Sequence, residues 1–376
     1  MSKKRPDRHT VHDICSVMES IAPTALAQDW DNVGLLAGDP AAGVRRVLLC
    51  IDLTPPVVEE AIAEKVQFVM AYHPPIFKPV ASLRADSSGT DAAVFRCIER
   101  GIALYSTHTA LDAADLGTNE VIAKLCGIKK TEPLEFVDPP GPTEYKLVVF
   151  VPPKEIDRVA DAMFAAGAGH IGDYAHCSYR STGHGTFLGG DSTNPTAGKR
   201  GRLEQVEEIR LETVVPNGAL SKVVTSMIAA HSYEEPAYDI YPLQPTPLRG
   251  IGRQGLLAAG STLGKIARKL KRATSASATQ IVGPSDRPIE RAVIVVGAAG
   301  SLPFRMKLNA WDVIITGEIR HHDALTILRI GCTAIALNHW TSERPVLSTL
   351  ANRIEESLPG VTALVSKSDC EPFQPV

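Results

Sequence analysis

Histidines and carboxylates recur in this 376-residue sequence directly after short apolar runs. They are His73 after VQFVMAY, His108 and Asp112 after GIALYS, and His339 and Glu343 after CTAIALN. Imidazole and carboxylate groups without thiolates suit Zn, Mn, Fe or Ni. Such ions can deliver a hydroxide to an electrophile. These residues alone therefore define a candidate histidine–carboxylate metal site.

Each of these residues also has a purely structural interpretation. His73, in AYHPPIF, precedes a proline that favours extended backbone, so it could cap a strand end through a hydrogen bond. Asp112 could form a turn or cap a helix. Ser342 is a natural N-cap, which would place Glu343 near a helix N-terminus, where the helix dipole favours a carboxylate.

Two further segments carry weaker signals. ITGEIRHHDA contains Glu318, His321 and His322, and adjacent histidines on a helix face different ways. A supporting or surface role is therefore favoured for these three residues. GAAGS (297–301) could cradle an anion at a helix N-terminus, but so short a glycine turn is more often a plain connection between a strand and a helix.

The apolar runs that carry the candidates are predicted strands, and they alternate with predicted helices. The predicted strands cover 44–53, 66–72, 101–106, 291–297, 311–317, 332–338 and 361–366. Helices are predicted near 91–100 and 117–126. This alternation predicts an α/β protein with largely buried strands, in which the carboxyl ends of strands are the usual place for a ligand.

The middle of the chain has a different order of elements. It reads β-α-β-β-α-β, the split βαβ arrangement of a ferredoxin-like unit. VDPPGPTE (137–144) and LQPTPLRG (243–250) flank it and are rich in proline and glycine. We therefore predict a discontinuous α/β core formed by residues 1–138 and 247–376, with a domain inserted at 142–246.

Composition excludes several classes of protein. Lys+Arg 39 against Asp+Glu 42 gives a net charge of −3, which offers no electrostatic argument for binding nucleic acid or an anionic membrane. No transmembrane run or secretory signal is evident. The seven cysteines are scattered and never in CxxC spacing, which predicts a reducing compartment and hence the cytoplasm.

AYHPPIF, YSTHTALD, DVIITGE and NHWTSE together resemble the motif series of the Nif-three-like (YbgI-like) dinuclear metal-centre family, also labelled GTP cyclohydrolase I type 2. The motifs occur in the family's order across nearly the whole chain. The middle segment, including HSYEEPAYDIY, resembles the inserted PII-like (CutA-like) domain of the longer bacterial members.

The resemblance implies a two-part α/β core that carries a dinuclear site and assembles as a homohexamer, a trimer of dimers. Carried over by motif, the metal ligands would be His73, Asp112, His339 and Glu343, with Asp112 bridging two divalent ions. His108 matches a histidine near the metals and would serve as a ligand or in acid–base chemistry.

One residue departs from the family's pattern. The members with the strongest dinuclear assignment carry His-His-Pro, where this chain has Tyr72-His73-Pro74. A phenol with a pKa of about 10 is a poor ligand at neutral pH. Tyr72 could hydrogen-bond a metal-bound water or turn into the core, as strand alternation suggests. We therefore expect one well-held ion and a second that is weaker or absent.

Two hypotheses of function follow. The first is a metal-dependent hydrolase that uses a metal-activated water on an unidentified small molecule, with His108 transferring the proton. The alternative is a metal-binding oligomeric scaffold or regulatory protein that acts through protein interactions.

Overall fold

The structure, a computed structural model, describes residues 9–137, 141–244 and 249–374. The chain falls into two compact units. One unit is discontinuous and consists of Met1–Asp138 and Pro247–Val376. The other is the continuous stretch between them, Pro139–Thr246.

Strands and helices are numbered in chain order. The strands are β1 (Gly34–Ala37), β2 (Arg46–Cys50), β3 (Phe68–Ala71), β4 (Ala103–Ser106), β5 (Glu135–Phe136), β6 (Glu144–Val151), β7 (Ser178–Leu188), β8 (Leu203–Pro216), β9 (Tyr238–Pro242), β10 (Gly250–Ile251), β11 (Arg253–Leu256), β12 (Gln280–Val282), β13 (Arg291–Ala298), β14 (Asp312–Glu318), β15 (Thr333–Ala336) and β16 (Thr362–Val365). The helices are α1 (Val11–Ile21), α2 (Pro55–Ala63), α3 (Gly89–Glu99), α4 (His108–Ala113), α5 (Thr118–Cys126), α6 (Ile156–Ala165), α7 (Leu220–Ala230), α8 (Leu263–Ala273), α9 (His321–Ile330), α10 (His339–Glu343) and α11 (Val346–Ser357). Among the described residues, none of these helices is long and apolar enough to cross a membrane.

The first sheet of the discontinuous unit has the strand order β1-β4-β3-β2-β16. Its last four strands run parallel, whereas β1 is antiparallel to β4. Every residue of β3 and β4 is buried, in keeping with their largely apolar sequences, because helices cover both faces of a parallel sheet. Helices α1 and α11 pack on one face, and α2 and α3 pack on the other.

The second sheet has the order β11-β13-β14-β15-β12. Its three central strands are parallel, and an antiparallel strand closes each edge. Helices α5 and α8 cover one face, and α9 covers part of the other. Each of the two sheets therefore has its own carboxyl edge, where parallel strands end together.

The two parts of this unit exchange elements. The C-terminal part supplies β16 and α11 to the first sheet, and the N-terminal part supplies α5 to the second. Asn119 in α5 is buried, and its side chain accepts from the Val296 N–H at 3.0 Å and donates to the Asp112 carbonyl at 3.1 Å. The predicted discontinuous two-part α/β core is therefore confirmed.

The inserted unit has the element order β6-α6-β7-β8-α7-β9 and the sheet order β7-β8-β6-β9, in which every pair is antiparallel. Both helices pack on one face of the sheet. This is the predicted ferredoxin-like arrangement. The polar segment around 189–202 connects β7 to β8, which begins at Leu203.

Excision of the insert should leave the core folded. The ends of the cut are already adjacent, because β5 pairs with β10 and the Val137 N–H donates to the Arg249 carbonyl at 3.0 Å. We expect a chain in which a short Gly-Ser linker replaces residues 138–248 to keep native near-UV circular dichroism and one cooperative thermal transition. Deletion of α5, which fills the second sheet's core, is the control and should abolish that transition. A non-cooperative melt of the excised chain would contradict the predicted domain boundaries.

Candidate metal centre

The candidate residues gather where the carboxyl edges of the two sheets meet. His73 lies two residues beyond β3, and His108 lies two beyond β4. His339 lies three residues beyond β15 in the other sheet and begins α10. Parallel strands bring their carboxyl ends to one edge, which explains why residues far apart in sequence converge here.

Backbone pairing continues past β3 and fixes the peptide of His73. The N–H groups of Tyr72 and His73 donate to the carbonyls of Cys50 and Ile51 at 2.8 and 3.0 Å. The Tyr72 carbonyl in turn accepts from the His108 N–H at 3.0 Å. Pro74 keeps the preceding backbone extended. His73 is thus held at the sheet edge by its neighbours on both sides.

A sharp turn between β15 and α10 positions His339. Asn338 has a φ of 73°, a conformation that non-glycine residues rarely adopt and that often occurs at functional sites. The alternative in which Ser342 caps a helix is wrong. Ser342 lies inside α10, where its hydroxyl donates to the His339 carbonyl and accepts from the Gly297 N–H, both at 2.8 Å. Glu343 consequently ends the helix instead of beginning it.

Glu343 is the buried centre of the cluster, with a side chain that is 4% exposed. Its Oε1 lies 3.2 Å from Nε2 of His339, and its Oε2 lies 3.4 Å from Nε2 of His73. One donor atom from each of the three residues lies within 4.8 Å of the others. The structure therefore brings together three of the four predicted ligands, which come from both sheets.

Carboxylates also engage the opposite nitrogen of each imidazole. Nδ1 of His73 lies 2.9 Å from Oδ1 of Asp52, and Nδ1 of His339 lies 3.0 Å from Oε1 of Glu318. A histidine that ligates a metal usually donates its second nitrogen to a carboxylate or carbonyl, which fixes the tautomer and the orientation of the ring. Both Nε2 atoms are accordingly presented to the centre.

The imidazoles and carboxylates of the cluster shift one another's pKa values. Burial alone would raise the pKa of Glu343, but the neighbouring imidazoles of His339 and His73 outweigh it and hold that pKa below its usual range. Burial alone would lower the pKa of His73, but the carboxylates of Asp52 and Glu343 raise it to about 10. Negative charge on Glu343 is therefore stabilised by cationic neighbours.

One atom of the cluster lacks a hydrogen-bond partner. Within the described residues, Oε2 of Glu343 is buried and accepts no hydrogen bond. A buried carboxylate oxygen that accepts no hydrogen bond is costly, so such an atom points to a missing ligand. Two imidazole nitrogens and this oxygen form a donor set that suits a divalent transition-metal ion. The residues present fit a metal.

Asp112, the fourth predicted ligand, is already engaged by hydroxyl groups. It accepts hydrogen bonds at its Oδ1 from the hydroxyls of Tyr72 and Thr118, both at 2.7 Å. Burial raises the pKa of Asp112, partly offset by these two donors. Tyr72 is itself buried, and burial together with the charge of Asp112 raises its pKa well above the usual value. The phenol is therefore neutral and acts as a donor to the carboxylate.

His108 lies beside the cluster, with its ring centroid 5.3 Å from that of His73. Its Nδ1 lies 2.8 Å from Oδ1 of Asp31, whose other oxygen accepts from the Thr109 N–H at 3.1 Å. Nδ1 is thus fixed by a buried carboxylate, and Nε2 is the nitrogen that can exchange a proton.

The remaining predicted candidates lie apart from the cluster. His321 and His322 are exposed at the start of α9, whereas Glu318, the third residue of that segment, supports His339. Sequence reasoning missed Asp52 and Asp31. Asp52 lies two residues after β2, as His73 lies two residues after β3, so a search for polar residues directly after predicted strands could have found it. Asp31 follows no strand end of this kind, and no local signal marks it.

Comparison with known proteins identifies the family. The model of the Duf34/NIF3 (NGG1p interacting factor 3) family matches residues 9–372. The chain belongs to the DUF34/NIF3 family. Among DUF34/NIF3 relatives, the GTP cyclohydrolase 1 type 2 homolog of Halalkalibacterium halodurans is 38% identical over 333 residues, 87% of each chain. The Bacillus subtilis protein of the same name is 33% identical over 366 residues, 96% of this chain and 97% of that one.

A solved DUF34/NIF3 structure has the same architecture. The crystal structure of a Bacillus cereus protein related to NIF3 superposes with a TM-score of 0.82 at 32% identity, covering 99% of this chain and all of the other. The inserted unit is therefore part of the architecture that this family member shares with its relative, and the predicted family is confirmed.

Gly297 should be essential for the cluster's geometry. Its φ is +60°, and a Cβ there would lie 2.4 Å from Oε1 of Glu343 and 3.2 Å from Nε2 of His339. We expect Gly297→Ala to displace the carboxylate and weaken metal binding by about 10- to 100-fold, the range seen when ligands lose their orientation. Titration of Zn²⁺ against a competing chelator measures this change.

Gly300→Ala is the matched control for Gly297→Ala. Gly300 has a similar φ of +55°, but its Cβ would meet no atom of the described residues within 4 Å. The backbone strain that alanine introduces should be comparable at the two positions, and the metal affinity of Gly300→Ala should be that of the wild type. Equal metal affinities for the two variants would show that the clash with Glu343 is unimportant.

Proposed function

We propose that this protein is a divalent-metal-dependent hydrolase whose metal ion is held by His73, His339 and Glu343. The observation that carries the proposal is the buried Glu343 carboxylate, which has one oxygen without a hydrogen bond and an imidazole Nε2 near each oxygen. Zn, Mn, Fe and Ni all accept such ligands. A divalent ion in this position supplies Lewis acidity and lowers the pKa of water.

The protein's own residues prepare the site before any substrate arrives. Asp52 and Glu318 each accept a hydrogen bond from Nδ1 of a candidate ligand, so that each Nε2 faces the centre, where a metal ion would take the place of its proton. Asp52 and Glu318 are about half exposed, whereas Glu343 is buried. The site therefore borders solvent on the side of these two supporting carboxylates.

His108 is the group we assign to proton transfer. Asp31 holds its Nδ1, and Nε2 can accept a proton from water and return it to a leaving group. Trp30 packs against the ring of His108 with centroids 5.9 Å apart, and His73 packs on it as well. These contacts add to the Asp31 hydrogen bond in positioning the ring.

A single ion per chain is the occupancy that the side chains favour. In a two-metal site a carboxylate bridges both ions, and Asp112 is the residue predicted to do so. Here Asp112 already accepts hydrogen bonds from two hydroxyls, one of them from Tyr72. Both donors occupy Oδ1 of Asp112, and the phenol of Tyr72, being neutral, offers a second ion no negative charge.

The substrate class is a small molecule with a hydrolysable bond. GTP is the first compound to test, because the relatives from H. halodurans and B. subtilis are named GTP cyclohydrolase 1 type 2 homologs. A homohexameric assembly and a cytoplasmic location stay predictions.

Glu343→Gln should abolish tight metal binding. The variant keeps the side-chain volume but removes the charge that compensates a divalent ion, so we expect metal affinity to fall by more than about 100-fold and turnover to be lost. Metal content by plasma emission and assays with GTP and a phosphoester panel measure both. Glu356→Gln, on the exposed side of α11, is the control and should match wild type. Metal binding without turnover in any form would favour the scaffold alternative, and retained metal in Glu343→Gln would refute the ligand assignment.

Tyr72→His should convert the site to two ions. The new imidazole replaces a neutral donor with a ligand beside Asp112, so the metal-to-chain ratio should rise from one to two. Titration with Co²⁺, followed by its visible absorption, measures the ratio and reports on the ligands. Tyr72→Phe is the control, because it removes the hydroxyl without adding a ligand and should stay at one. Two tightly bound ions in the wild-type protein would contradict the single-ion proposal.

A further inference from the structure

The inserted unit contains a cavity of about 440 Å³ that lies wholly within residues 150–237. The β7–β8 connection lies over the segment 233–237 and forms the roof of the cavity. Two hydrogen bonds anchor this roof: the Asn194 N–H donates to Glu234 at 2.9 Å, and the Thr196 hydroxyl donates to the Ser232 carbonyl at 2.8 Å. The volume falls in the range of small-molecule sites.

Glycine in β7 makes room for the floor of the cavity. Gly183 pairs with Glu208, and Gly185 lies on the same side of the ribbon two residues further on. A Cβ at Gly185 would lie 2.2 Å from Oε2 of Glu208. Because that Cβ is absent, the Glu208 carboxylate lies across β7 and lines the cavity beside Phe187.

The lining combines aromatic rings with carboxylates. The aromatic residues are Phe150, Phe187 and Tyr233, and the acidic residues are Glu208, Glu234 and Glu235. No Lys, Arg or His is among the described residues that line the cavity. Burial, followed by the charge of Glu208, raises the pKa of Tyr233 to about 12, so the phenol adds no negative charge at neutral pH.

The carboxylates of the cavity take no part in the ion pairs of the insert. Arg158, Arg202 and Arg210 each pair with a different carboxylate, those of Glu155, Glu204 and Glu212, at 2.5 to 2.8 Å. Within the described residues, no such ion pair reaches Glu208, Glu234 or Glu235. Among the described residues, the three carboxylates of the cavity are therefore not held in direct ion pairs by arginine.

We propose that this cavity binds a small organic cation, an ammonium group attached to an apolar body. The carboxylates attract the charge, and the aromatic faces stabilise both the cation and its apolar part. Phosphates and nucleotides would be repelled by the same carboxylates. A bare metal ion is disfavoured, because among the described residues the only group that meets the geometry of a metal site is His73, His339 and Glu343. The proposal is independent of the metal centre.

Calorimetric titration of the full-length protein tests the proposal, with 2-phenylethylammonium as the probe. 2-Phenylethanol and phenylacetate are its neutral and anionic counterparts of nearly the same shape. We expect the ammonium compound to bind saturably with a dissociation constant below about 10 mM, and the other two compounds to bind more weakly or not at all. Equal binding of all three, or no binding of the ammonium compound, would overturn the proposal.

A pair of adjacent variants locates the site. Glu208→Gln removes the charge on the floor and should weaken ammonium binding by at least about threefold, the minimum expected for one partly buried charge contact. Glu207→Gln, one residue earlier, is the matched control, because its exposed side chain points to the other face of β8 and its affinity should be unchanged. Phe187→Ala should weaken binding through the aromatic wall. Wild-type affinity in both Glu208→Gln and Phe187→Ala would place the site elsewhere and overturn the proposal.

Discussion

The constraint on which the site depends is the burial of the Glu343 carboxylate at the junction of two sheets. A buried charge is tolerated only when opposite charge or a metal compensates it. His339 can do so locally, since it lies four residues earlier on the same short helix, but His73 comes from the other sheet. The folded core therefore has to bring both carboxyl edges together before both imidazoles can compensate the buried charge of Glu343.

The exchange of elements between the two parts of the chain provides that alignment. Asp369, which follows β16, accepts from the Ile51 N–H at 2.8 Å, from the indole of Trp340 at 2.9 Å and from Arg344 at 2.6 Å. One buried carboxylate thus fastens α10 of the second sheet to the end of β2 in the first. Asn119 makes the corresponding link through α5. The histidines are positioned by these long-range contacts and not by the strands alone.

This division explains what the sequence could and could not predict. The strands, the insert and the positions of His73 and His339 follow from local patterns, because an apolar run ends at a definite residue. The pairing of each imidazole with a particular carboxylate does not follow from such patterns. The pair Asp31–His108 spans 77 residues, and no local spacing encodes it. The interpretation of Ser342 as a helix cap was wrong because the helix begins earlier, directly after Asn338. Asn338 has a positive φ, and its N–H donates to a carbonyl of the neighbouring strand β14.

Tyr72 has an orientation that local strand alternation predicts and a contact with Asp112 that depends on the fold. Strand alternation predicts that Tyr72 and His73 face opposite sides, and Tyr72 indeed enters the core while its neighbour faces the cluster. Its hydroxyl nevertheless reaches Asp112 from inside the core. A histidine there could share a metal with Asp112, whereas a neutral phenol can only donate a proton to a hydrogen bond. In this chain the buried Asp112 carboxylate is therefore stabilised by a hydrogen bond from a neutral phenol.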